Sequence, residues 1–293
     1  MLSINSMASH CAVSIIIPVF NEAEVLPELL EKVRALNLPQ TEVIVVDDGS
    51  TDASAEAALN AGVSVVRHPY NIGNGAAVKS GIRRATGEFI LIVDADGQHP
   101  PEDALRLVSR LGEYDLVVGA RSTRTQATSA RRAGNGALNR LASYMTGRRI
   151  PDLTSGFRGA RASGLREFLH LLPNGFSAPT TTTMAFLKAG YNVTFEPIEA
   201  RQRTGQSKIH FARDGTKFLM IIFKIIMLFN PLKIFAPISL AAFALGVAYG
   251  IWNVVSHARI PNGAVLLILF AVVVFLVGLV SEQISALRFE GRQ

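Results

Sequence analysis

Short apolar runs alternate with amphipathic stretches over roughly the first 120 residues, and two long uncharged apolar stretches lie near the end of the chain. Residues 13–18, 42–46, 63–67, 88–93 and 115–119 read as strands. Each is a brief β-branched or aliphatic run closed by Gly, Pro, Asn or Asp, which suits the core of a parallel sheet better than a helix. Between them, residues 22–35 carry Val25, Leu26, Leu29, Leu30 and Val33 at helical spacing, with Asn21 as an expected N-cap. An Ala-rich helix follows Asp52, and further helices are expected over 76–85 and 101–111. Strand and helix in alternation predict an α/β fold, a mostly parallel sheet covered on both faces. Beyond Ser155 and Gly156 a helix is expected near 162–171, and 191–197 returns to strand.

The closing stretches are of another kind. Residues 234–255 and 264–280 contain no charged side chain, and with their neutral flanks each reaches the roughly 20 apolar residues that a membrane span requires. The turn Pro261-Asn262-Gly263 makes them a hairpin. Upstream, residues 211–229 set Arg213, Lys217 and Lys224 on one helical face and Phe218, Leu219, Ile222, Ile225, Ile226 and Phe229 on the rest, the pattern of a helix lying in a membrane interface. Basic residues precede the first span and follow the second, against Arg259 alone between them, so both ends are expected to face the cytoplasm. This divides the chain into 1–210, an amphipathic 211–232, and 233–293 with two spans and a short tail.

Composition sharpens the picture. With 49% hydrophobic residues and a mean hydropathy of +0.29, the chain is too apolar for an ordinary soluble enzyme, and the hairpin holds the excess. A net charge of +6 suits nucleic acid, anionic lipid or a phosphorylated substrate, and the spans favour the latter two over nucleic acid. The single cysteine, Cys11, excludes an internal disulfide. No basic segment followed by an apolar run opens the chain, so a cleaved signal is not expected, and Met7 is an alternative start.

The chemistry gathers where the fourth strand ends, at Asp94-Ala95-Asp96-Gly97-Gln98. In open α/β sheets ligands bind at the carboxyl ends of strands, and two hard carboxylates with Gln98 behind them suit a divalent ion that keeps positions open for a diphosphate. From Arg121 to Arg149 seven arginines accumulate without an acid between them, an expected anion-binding wall. Gly73-x-Gly75 follows the third strand and lacks a third glycine, so it reads as a tight turn into a helix. His68 and His99 have no partner at metal-ligand spacing.

Three segments in order, Ile15 to Glu22, Val45-Val46-Asp47-Asp48-Gly49-Ser50-Thr51-Asp52, and Asp94 to Gln98, resemble inverting family-2 glycosyltransferases of the GT-A fold. Asn71 to Ala77, Gly119-Ala120-Arg121, Thr154-Ser155-Gly156-Phe157-Arg158 and Gly205-Gln206-Ser207-Lys208 narrow the resemblance to the dolichyl-phosphate-mannose-synthase-like branch, and the two-span tail is similar to GtrB-type polyprenyl-phosphate transferases. The resemblance implies transfer of one sugar from a UDP- or GDP-linked donor to polyprenyl phosphate (undecaprenyl or dolichyl), and a homo-oligomer. It implies that Pro18, Val19, Asn21, Glu22, Asp48, Asp94, Ala95 and Asp96 bind the donor, and that Asp94, Asp96 and Gln98 hold Mg2+ or Mn2+. Arg121 and Arg131 would meet the acceptor phosphate, with Asn135, Arg201, Arg203, Ser207 and Lys208 as further contacts.

Asp96, Arg121 and Arg131 are the expected catalytic set. Glu22 either binds the donor or faces a helix dipole. Asp152 either orients the acceptor site or caps a turn, and the turn is favoured. A processive polysaccharide synthase is disfavoured, because the Gln-x-x-Arg-Trp motif of those enzymes is absent and the only tryptophan, Trp252, lies in a span. A non-catalytic membrane scaffold of the same fold is the reading from another class.

Overall fold

The computed structural model describes residues 13–38, 40–95, 102–121, 129–175, 177–199, 223 and 226–290. Two compact units divide the chain, Met1–Asp214 and Gly215–Gln293.

The first unit is built on a seven-stranded sheet. Its strands are β1 (Val13–Val19), β2 (Thr41–Asp47), β3 (Ser64–Arg67), β4 (Phe89–Ile92), β5 (Leu116–Arg121), β6 (Arg158–Arg161) and β7 (Val193–Ile198), in the order β3-β2-β1-β4-β6-β5-β7. Every side chain of β1 and β4 is buried, as their unbroken apolar runs require of central strands. All pairings are parallel except those of β6, which runs antiparallel to both β4 and β5. The mostly parallel sheet expected from the alternation is therefore present, with one reversed strand that the sequence pattern did not show.

Helices α1 (Leu26–Ala35), α2 (Ser54–Asn60), α3 (Asn74–Arg84), α4 (Glu102–Arg110), α5 (Ser129–Thr146), α6 (Ala162–Glu167) and α7 (Ala178–Lys188) connect the strands. α1 buries Leu26, Leu29, Leu30 and Val33, the stripe its spacing predicted. It begins four residues later than expected, because Asn21 is not its N-cap. Asn21 adopts a left-handed conformation (φ 56°), which asparagine tolerates, and Val25 precedes the first helical turn. α3 lies against β1 at Gly81, where a Cβ would overlap the Ile16 side chain. The tight turn expected at Gly73 is found there, at φ 124°.

The second unit contains α8 (Leu232–His257) and α9 (Asn262–Glu290). Windows of mean hydropathy 2.0 and 3.2 make both long and apolar enough to cross a membrane, and Val255 (81% exposed) and Trp252 (67%) show that these are not core helices of a soluble fold. They pack through small residues. Gly246 admits Leu267 and Ile268, Gly278 admits Phe235, and Ser239 Oγ donates to the Ala271 carbonyl at 2.8 Å. At the other end Ser285 Oγ donates to the Leu228 carbonyl at 2.6 Å, and the Glu282 carboxylate accepts from the Leu232 amide, one of the orphan donors at the start of α8. Of the interfacial helix expected over 211–232, residues 211–222, 224 and 225 lie outside the described residues; 226–229 are helical.

Candidate active site

The carboxyl ends of β1, β2 and β4 lie side by side, because Pro18 pairs with Val46, Val19 with Asp47, and Ile16 with Ile92. Pro18 and Val19 are thus the last buried residues of β1 before the chain leaves the sheet. The two loops that follow β1 and β2 are stitched together. Asn21 Oδ1 accepts from the Thr51 amide at 2.8 Å, while the amides of Asn21, Glu22 and Ala23 donate to Ser50 Oγ, Ser54 Oγ and Asp52 Oδ2 at 3.0, 2.9 and 3.1 Å. Asn21 and Glu22 are consequently held at this edge by backbone geometry, with Glu22 in a turn before α1.

Asp48 is 2% exposed, and its carboxylate faces the chain beyond β3. It accepts from the amides of Ile72 (3.0 Å) and Gly73 (2.8 Å) and meets His68 Nδ1 at 2.7 Å, while His68 Nε2 meets Ser80 Oγ at 2.9 Å. Three of a carboxylate's roughly four lone-pair positions are filled, so Asp48 anchors the 68–73 loop beside the strand ends. His68, which has no metal partner at ligand spacing in the sequence, links that anchor to α3 through Ser80.

Asp94 leaves the end of β4 half-buried, with the buried Ala95 beside it. Its carboxylate rests against Gly156, where a Cβ would overlap Asp94 Oδ2. Gly156→Ala is therefore expected to displace that carboxylate and lower turnover by about ten-fold or more, measured by initial rates alongside the melting temperature. Wild-type rates in that variant would show that Asp94 need not sit where it does. Asp96 and Gln98 lie outside the described residues.

The antiparallel β6 brings a third group to this edge. Arg158, its first residue, pairs with Ile92 on one side and Val118 on the other, so the 152–158 segment runs between Asp94 and the end of β5. There Asp152 binds Arg121 in a fork. Arg121 Nε donates to Oδ2 at 2.8 Å and Nη2 to Oδ1 at 3.1 Å, with Nη2 also reaching Thr154 Oγ1 at 2.8 Å. Asp152 Oδ1 also accepts from the Thr154 amide at 3.1 Å. Burial pushes the Asp152 carboxyl up, but the hydrogen bonds and charge of Arg121 outweigh this and hold it below its ordinary value. Asp152 thus closes the turn and orients Arg121 at once; the turn was legible, the arginine partner was not.

α5 carries positions 131, 135 and 139 at intervals of one turn, on one helical face. Asn135 is buried, and Asn139 fastens the helix to the turn before Asp152, donating to the Pro151 carbonyl at 2.6 Å and accepting from the Leu153 amide at 3.0 Å. The Arg131 side chain lies outside the described residues, as do Arg201, Arg203, Ser207, Lys208 and His99. Arg158, which the sequence offered only as the end of a motif, is among the most deeply buried side chains of the molecule.

Residues 14–169, more than half of the chain, match the model of glycosyl transferase family 2. The chain belongs to this family. As a family-2 glycosyltransferase it has the GT-A fold, and residues 230–287 match a further model, the GtrB C-terminal hairpin. A glycosyltransferase of Haloferax volcanii, AglJ, is 29% identical over 97% of both chains. The undecaprenyl-phosphate 4-deoxy-4-formamido-L-arabinose transferase of Klebsiella pneumoniae is 31% identical, covering 91% of this chain and 84% of its own. Among solved structures, glucosyl-3-phosphoglycerate synthase from Mycobacterium tuberculosis, in complex with Mn2+, UDP-glucose and phosphoglyceric acid, superposes with a TM-score of 0.59 at 18% identity, over 74% of this chain and 79% of that one. That likeness concerns the fold.

Proposed function

We propose that this family-2 glycosyltransferase moves a single sugar, with inversion, from a nucleotide-sugar donor to polyprenyl phosphate at the cytoplasmic membrane face, releasing the nucleoside diphosphate. The observation that carries this reading is that the likeness to undecaprenyl-phosphate sugar transferases runs through both the catalytic fold and the apolar hairpin. Residues 1–210 act as the catalytic domain, 211–232 lie in the interface, and 233–293 anchor the chain.

The residues fit a divalent ion. Asp94 offers a hard oxygen donor at the carboxyl end of a central strand, in a cradle that any side chain at position 156 would fill. Asp94, Asp96 and Gln98 would hold Mg2+ or Mn2+, which supplies Lewis-acid neutralisation of the departing diphosphate. Pro18, Val19, Asn21, Glu22 and Asp48 form the donor side. No general base is required, since a phosphate monoester with a second pKa of about 6 is mostly ionised at neutral pH and is its own nucleophile. What the protein supplies is positive charge in a fixed geometry. Arg121, locked in its fork by Asp152, and Arg131 align the acceptor phosphate with the sugar.

The test is a donor screen. Full-length protein in detergent with undecaprenyl phosphate and Mg2+ or Mn2+ is expected to turn one of UDP-glucose, GDP-mannose or UDP-N-acetylhexosamine into an organic-extractable lipid-phosphate sugar of inverted anomeric configuration. Donor hydrolysis without a lipid product would overturn the assignment. Arg131→Ala should raise the acceptor KM by roughly ten-fold or more, the worth of a charge-assisted contact, at unchanged donor KM.

A further inference from the structure

We propose that Arg158 is the shared positioning residue of the two halves of the site: its buried guanidinium fixes the 152–158 turn so that Gly156 backs Asp94 while Asp152 backs Arg121. The inference rests on the reading above, in which Asp94 serves the donor and Arg121 the acceptor.

Arg158 is 2% exposed. Its Nη1 donates to the Pro179 carbonyl at 2.7 Å and to Thr183 Oγ1 at 3.2 Å, and its Nη2 to the Ser155 carbonyl. One fork of the guanidinium therefore holds α7 and the other holds the turn, immediately before Gly156. Every one of these acceptors is neutral, and a guanidinium removed from water needs anions nearby. The two that act on it are Asp152 and Asp94. Burial is the largest influence and lowers Arg158, the charges of Asp152 and Asp94 work against it, and the net value of about 10 leaves the guanidinium charged at neutral pH.

Asp152 and Asp94 thus favour the charged guanidinium, and Arg121 opposes it. A residue chosen only to fill space here would be apolar, because a buried ionic group gives no advantage over a hydrophobic one of the same volume. The cation is explained by what it holds on either side. The Arg158 backbone pairs with Ile92 of β4, two residues before Asp94, and with Val118 of β5, three residues before Arg121.

The experiment compares Arg158→Met, Arg158→Lys and Thr183→Val in the full-length protein. The donor side is read without turnover, as Mn2+ affinity by electron paramagnetic resonance with UDP or GDP, whichever nucleotide the donor screen selects. The acceptor side is read as the KM for undecaprenyl phosphate, and folding as the melting temperature. Both constants are expected to weaken together, by roughly ten-fold or more in Arg158→Met and a few-fold in Thr183→Val, with Arg158→Lys between them. If one constant moves without the other, or if Arg158→Lys and Thr183→Val leave both at wild-type values, the shared role is overturned. Should Arg158→Met not fold, those two variants decide. A wild-type chain that makes no lipid-linked sugar overturns the proposed reaction instead, and is seen before any variant is tested.

Discussion

Asp94→Asn is expected to lower turnover by about two to three orders of magnitude while the protein still folds and inserts. The substitution keeps the shape of the side chain and its fit against Gly156, so packing at the end of β4 is preserved. What it removes is the anionic oxygen, which in the proposed reaction would be a ligand that a hard divalent cation replaces poorly with a neutral amide. Stabilisation of a departing diphosphate by a bound cation is worth several kcal/mol, and each ~1.4 kcal/mol is a factor of ten in rate. The measurement is kcat for lipid-linked sugar formation, paired with Mn2+ affinity and the melting temperature. Turnover within ten-fold of wild type would remove Asp94 from the cation site. Because Asp94 is also a counter-charge to buried Arg158, a modest loss of melting temperature is expected, and the cation role is decided by whether Mn2+ affinity falls with turnover.

The second large effect is on stability. Asp152→Ala is expected to destabilise the catalytic unit by about 2–3 kcal/mol, somewhat less than for a wholly buried pair because 23% of the Arg121 side chain meets solvent. The variant removes the carboxylate that offsets the charges of Arg121 and Arg158 and that bonds Thr154 in the turn. Acid should erase the difference between variant and wild type. Asp152 is held below its ordinary value of 3.8 in the folded protein, so the unfolded chain takes up the proton first as pH falls. Its contribution is complete above that ordinary value and disappears as pH drops through the lower folded one. The gap in melting temperature is therefore expected to be constant from pH 5 to 7 and to narrow below about pH 4. A gap that widened in acid would contradict the ion pair.

Much of this architecture is written in local pattern. β1, β2 and β4 are apolar runs with abrupt polar ends, and the end of β4 is where Asp94 is found. β6 escaped notice because two of its four residues, Arg158 and Arg161, are arginines and the others are Gly159 and Ala160. Its strand character comes from the neighbours that bond both its edges. α7 is hidden by four consecutive threonines, β-branched residues that disfavour helix locally, yet Thr182 and Thr183 return their hydroxyls to carbonyls one turn back. The fork between Arg121 and Asp152 joins residues 31 apart, a pairing no short-range spacing encodes. Asn21 misled in the opposite sense. Its side chain does accept an amide hydrogen bond, but from Thr51 across in the next loop rather than from its own helix.

The reversal of β6 has an evolutionary corollary. The chain departs from the carboxyl end of β5 and β6 re-enters the sheet at the same edge, so the connection between them is a detour that starts and finishes beside the proposed site. Such a detour can be lengthened, shortened or exchanged without breaking a single ladder of the sheet. The donor site proposed at the ends of β1, β2 and β4 has no such freedom. Descendants of this scaffold are expected to diversify in what receives the sugar far more readily than in what delivers it.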